Sequence, residues 1–103
     1  MSDKELNVLN GEKIEIKVGG KAVEVSRLTI DEQFLFIDEF PKYPEDMVLR
    51  MVSVINFCSK NKFIKEDFIS AAEVVNAFGD IWKQNEFDFL FKGVQKLNSV
   101  FRN

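Results

Sequence analysis

Lys13-Ile14-Glu15-Ile16-Lys17-Val18-Gly19-Gly20-Lys21-Ala22-Val23-Glu24-Val25-Ser26 alternates polar and apolar residues on both sides of a glycine pair. Successive strand residues point to opposite faces, so Ile14, Ile16 and Val18 share one side and Lys13, Glu15 and Lys17 the other. Gly19-Gly20 suits a two-residue hairpin loop, because glycine enters left-handed backbone conformations without a steric penalty. Such a loop pairs Val18 with Lys21, which sets Ile16 against Val23 and Ile14 against Val25. The apolar residues then match across the strands and the register supports itself. The same register places Glu15 opposite Glu24 on the wet face, where like charges disfavour pairing by a few tenths of a kcal/mol, roughly.

A lone ribbon is barely stable in water, so this one is expected to lie on helices or to join a further sheet through its open edges. The rest of the chain reads as helix. Thr29-Ile30-Asp31-Glu32 has the form of a capping box ahead of a helix from Ile30 to Phe40, which Pro41 ends. Ile30, Phe34, Ile37 and Phe40 share one face of that helix, and Leu35 falls away from it. Pro44 suits the first turn of a second helix running to about Ser59. Its wide apolar arc comprises Met47, Val48, Met51, Val52, Val54, Ile55 and Cys58, which makes it the central helix and Cys58 an inert core thiol. The stretch Asn61 to Ile69 has little pattern beyond a possible turn at Glu66-Asp67-Phe68. Ser70-Ala71-Ala72-Glu73 is a second capping box. The helix behind it places Ala71, Ala72, Val74, Val75, Phe78, Ile81 and Trp82 on one side and Glu73, Asn76, Asp80 and Lys83 on the other, with Gly79 on the apolar side as a close-packing point. Asn85 can cap a last helix, from Glu86 to about Phe101, with its seam at Phe87, Leu90, Phe91, Val94, Leu97 and Phe101. Whether the chain after Ser70 forms one helix or two is open at this level.

Bulk properties narrow the function. The 103 residues suit one domain with a modest core. The chain carries 11 Phe against one Trp and one Tyr, so either the core is aromatic or some of that surface meets a partner. A net charge of −3 and dispersed Lys and Arg argue against nucleic-acid binding. Cys58 is the sole cysteine, which fits a reducing compartment. The polar start Met1-Ser2-Asp3-Lys4-Glu5 is unlike a secretion signal, and no apolar run approaches the ~20 residues of a membrane span. A cytoplasmic location with no membrane partner is the expectation.

No constellation suggests chemistry. The carboxylate pairs Asp31-Glu32, Glu45-Asp46 and Glu66-Asp67, and Glu86 with Asp88, fall at helix starts, where negative charge complements the macrodipole. With no His and one Cys, a metal would have only carboxylate oxygens, and no calcium-loop spacing is present. A nucleophile would lack its base. No catalytic residue, metal or cofactor is therefore expected, and the chain reads as a non-enzymatic protein. Leu35, Phe36, Leu49, Phe57, Phe89 and Val100 lie outside the main helical faces. They are the candidate contacts for a protein client or for another copy of the chain.

The ribbon Ile14-Glu15-Ile16-Lys17-Val18-Gly19-Gly20-Lys21, the second strand Val23-Glu24-Val25-Ser26 and the helix entry Arg27-Leu28-Thr29, followed by an acidic, Phe- and Leu-rich helical body, resemble the small tail assembly chaperones of long-tailed bacteriophages. The resemblance spans roughly Lys13 to Leu97 in layout, and its specific part is the ribbon and the Leu28-Thr29 entry. It implies a mostly helical, often self-associating protein that binds a tape-measure or tail-tube client before the tail polymerises. Some members also exist in a longer frameshifted form. The alternatives are a structural virion protein, such as a tail-completion or connector subunit, and a small acidic regulator of a host protein. The expected architecture is α+β: an arm over residues 1–11, then a single domain over 12–103 in which a hairpin (12–26) packs on a body (29–103) of about four helices.

Overall fold

Strands β1 (Lys13–Val18) and β2 (Lys21–Ser26) pair antiparallel in the register read from the sequence, with Ile14 opposite Val25, Glu15 opposite Glu24 and Ile16 opposite Val23. The computed structural model describes residues 12–101, with side chains through Leu97. The arm expected over residues 1–11 lies outside the described residues. Among these residues the hairpin is followed by four α-helices: α1 (Ile30–Glu39), α2 (Met47–Ser59), α3 (Ala71–Gln84) and α4 (Phe87–Phe101). Short 3-10 turns at Phe40–Lys42 and Lys65–Asp67 lie between them. The α+β architecture expected from the sequence is the one observed. The chain after Ser70 forms two helices.

The apolar face of the hairpin lies on the helices, with Ile16, Val18 and Val25 buried in one core with Val74, Ala77 and Ile81 of α3. Lys13 Nζ reaches Glu24 at 3.2 Å, which offsets the like-charge pair on the wet face. Gly19 and Gly20 take positive φ values of 63° and 78°. A side chain at Gly19 would come within 2.9 Å of the Asp67 carbonyl oxygen, so the turn requires glycine for space as well as for conformation.

The centre of the helical body is Phe36. It is fully buried and stacks on Phe87 with centroids 4.3 Å apart, and Phe57 meets it edge-on at 5.5 Å. This corrects two expectations. Phe36 is a core residue, and Phe57 is half-buried against it. The face expected for α1 is also rotated: Ile30 and Phe34 are 72% and 56% exposed, while Gln33 and Phe36 are buried. Tertiary contacts set this rotation. Phe36 stacks on Phe87, and Gln33 Nε2 donates to the Asn85 carbonyl at 3.4 Å.

The capping box of α1 forms as expected, with Glu32 N donating to Thr29 Oγ1 at 3.2 Å and Thr29 N to Glu32 Oε1 at 2.9 Å. Helix α2 starts later than Pro44 suggests, because Asp46 Oδ1 accepts from Leu49 N at 3.0 Å and fixes the first turn. Its first two residues, Met47 and Val48, are exposed rather than part of the buried arc. Asn85 closes α3 instead of opening α4: its N–H and its Nδ2 both donate to the Ile81 carbonyl. The break is completed at Glu86, whose φ of 54° is left-handed.

Candidate functional site

Three polar side chains on α3 and its C-terminal turn fix the hairpin against the helices. At the start of the helix, the Glu73 carboxylate accepts from Gly19 N at 2.6 Å, Gly20 N at 3.0 Å and Ile69 N at 3.0 Å. Only half of the second capping box therefore forms. Ser70 Oγ accepts from Glu73 N, but the Glu73 side chain turns to the hairpin loop and Ile69. Partial desolvation raises the Glu73 pKa, but the N–H groups of Ile69, Gly19 and Gly20 outweigh it and hold the carboxyl below its ordinary range. At the other end, Gln84 Nε2 donates to the carbonyls of Glu12 and Val25, both at 2.9 Å. Its buried Oε1 has no hydrogen-bond partner among the described residues. Asn85, fully buried, accepts from Leu28 N through Oδ1 at 2.9 Å.

The other groups with displaced pKa values are also structural. Burial pushes the Cys58 thiol up to about 12. Burial, with the neighbouring Cys58 and Glu39, raises Tyr43 to about 12. The Thr29 N–H and the Lys60 ammonium, 3.0 Å away, hold Glu32 down. A thiol so placed is a poor nucleophile at neutral pH. Among the described residues, no group of three or more Cys, Asp or Glu side chains is placed to share a metal ion, and no helix is long and apolar enough to cross a membrane.

The feature best suited to binding lies where α3 turns into α4. A shallow cavity of about 450 Å³ is lined by Gly79, Trp82, Lys83, Glu86, Asp88 and Phe89. Trp82 is held rigidly: its ring stacks on Phe91 with centroids 5.6 Å apart and planes 3° apart, and its Nε1–H donates to Asp88 Oδ1 at 2.8 Å. Phe89 is 75% exposed. Gly79 leaves the cavity open, since a side-chain carbon built there would meet nothing within 4 Å among the described residues. This overturns its reading as a close-packing point. The walls are aromatic, and Lys83, Glu86 and Asp88 supply charge of both signs. Such a cavity can receive one large apolar side chain while the charged groups orient the rest of the segment. A neighbouring cavity of about 380 Å³ is lined by Ile14, Arg27, Asp80 and Glu86 among others and borders the Arg27–Glu86 ion pair, at 2.9 Å.

Of the candidate contacts, Phe89 lines this cavity, and Leu35 and Leu49 stand half-exposed on α1 and α2. Phe36 and Phe57 belong to the core, and the side chain of Val100 lies outside those described. Sequence reasoning missed Trp82 and Gly79, both assigned to the buried side of α3. A glycine inside a helix with no neighbour to accommodate is a usable signal only once the surroundings are known. No family model, curated protein or solved structure matches the chain.

Proposed function

We propose that this chain is a non-enzymatic protein-binding module that covers an apolar segment of a client. Its resemblance in ribbon and helix entry points to a phage tail assembly chaperone, with a tape-measure or tail-tube protein as client. The observation that carries the binding role is the exposed Phe89 beside a rigid Trp82 at an open cavity. Partly exposed aromatic anchors at a preformed depression are the usual centre of a protein interface. An apolar side chain of the client enters over Gly79 and is covered by Trp82 and Phe89. Burial contributes roughly 25 cal/mol per Å² of apolar surface, less the cost of ordering the client. The clamps by Glu73, Gln84 and Asn85 hold the hairpin and α3 as a rigid backing, so little ordering is needed on this side.

Light scattering after size exclusion, with and without a helical tape-measure fragment, tests this reading. A complex at micromolar concentration, weakened by Phe89→Ser, supports it. A mixture that elutes as two separate species contradicts it.

A further inference from the structure

Two helices of this chain carry apolar rows left uncovered by the described fold, and the rows are bordered by opposite charges. On α1, Ile30 and Phe34 lie one turn apart and are 72% and 56% exposed. Asp31 and Asp38 border that row and are exposed. On α4, Phe89, Gly93 and Leu97 follow one another at intervals of four residues, and the two large side chains are 75% and 55% exposed. Lys92 and Lys96 border this second row and are exposed. Among the described residues, none of these four charged groups takes part in an ion pair.

Gly93 adds shape to the charge pattern. A side-chain carbon there would meet nothing within 4 Å among the described residues, so their packing does not require glycine, which weakens a helix interior. What it does create is a notch between Phe89 and Leu97. Within one molecule α1 and the turn after it already meet α4 through Phe36 on Phe87 and Phe40 near Phe91, a seam distinct from both exposed rows.

We propose that α1 of one molecule docks on α4 of a second copy, with Phe34 entering the notch at Gly93 and Asp31 and Asp38 beside Lys92 and Lys96. In the sense of helix winding, the aspartates border their row on the leading side and the lysines border theirs on the trailing side. Parallel packing therefore brings these flanks together, as it does in parallel coiled coils. The two surfaces differ, so the contact is heterologous and repeats from copy to copy, closing into a ring or growing as an open chain. Two short rows bury less than the ~1,200 Å² of stable interfaces, so the contact is weak. Salt weakens it further, because exposed charges are screened over about 10 Å at 0.1 M. The proposal goes beyond the client reading and does not rest on it. Phe89 belongs to both surfaces, so the two contacts compete.

Sedimentation velocity on the full chain, from about 10 μM to about 1 mM, tests it. Average mass rises with concentration and falls back on adding salt. D31K/D38K and K92E/K96E each remain monomeric at the concentrations where the native chain associates. Mixing these two variants restores association, because the acidic α1 of one meets the basic α4 of the other and the basic α1 meets the acidic α4. Far-UV circular dichroism verifies that both variants fold, and Phe34→Ser, a substitution outside the core, gives an independent loss of association. A strictly monomeric native chain, association indifferent to the charge reversals, or a mixture that stays monomeric would each overturn the proposal.

Discussion

Glu73 Oε1 accepts from the N–H of Gly19 at 2.6 Å, across 54 residues of sequence, and so ties the first turn of α3 to the tip of the hairpin. The same carboxylate also accepts from Gly20 and Ile69, and its charge is part of the clamp. Glu73→Gln is expected to lower the melting temperature at neutral pH and to speed amide exchange at Gly19 and Gly20 above all others in the hairpin. Hydrogen exchange followed by NMR checks this, and unchanged protection at those two amides would exclude the clamp.

The clamp also dictates an acid limb to stability. Glu73 and Glu32 both sit below the ordinary carboxyl value of 4.5. A lowered folded-state value means that the contribution is complete above that pH and is lost as pH falls through the depressed values. Thermal melts between pH 7 and pH 2 are expected to show this decline. Glu73→Gln should flatten it by removing one of the two groups.

Phe36 and Phe89 have opposite places in the fold, so truncating them separates stability from binding. Phe36→Ala empties the centre of the aromatic cluster and is expected to destabilise by about 3–5 kcal/mol. Phe89→Ala removes an exposed ring and should change stability by no more than about 0.5 kcal/mol, while weakening client binding. Urea unfolding of the two variants distinguishes these roles.

The sequence allowed the hairpin, its register and the Thr29–Glu32 box to be read, because each rests on neighbours within a few residues, but it left open whether the chain after Ser70 forms one helix or two. The rotation of α1 did not follow. Ile30-Phe34-Ile37-Phe40 and Gln33-Phe36-Phe40 both recur at helical spacing, and only the remote partners Phe87 and Asn85 decide between them. For the same reason the sequence suggests Asn85 as the cap that opens α4, whereas it closes α3 and accepts from Leu28 N, and it shows Glu73 as half of a box but not as a clamp on Gly19. The site suffered most. Exposure of Phe89 follows from its wheel position, whereas the cavity beside it depends on how α3 breaks at Asn85 and Glu86.

Asn85 makes a sharp test of that break. It is fully buried, and its Oδ1 is the partner of the Leu28 N–H. Asn85→Ala leaves that donor unsatisfied and is expected to lower stability by about 1–3 kcal/mol. Chemical denaturation measures the loss, and a neutral result would mean that the hairpin exit is held elsewhere.

Gly79 predicts the opposite sign. A methyl group there meets open space, so Gly79→Ala should raise stability by about 0.5–1 kcal/mol. A bulky Gly79→Leu substitution should preserve the fold but obstruct the cavity.

Trp82 is the sole tryptophan and lines that cavity, so its fluorescence reports directly on the claim that this corner grips a client. Titrating the full chain with an amphipathic helical tape-measure peptide should give a saturable shift in Trp82 emission that is lost in Gly79→Leu and weakened in Phe89→Ser. An emission spectrum unchanged by the peptide, or a shift of equal size in all three proteins, would contradict the account.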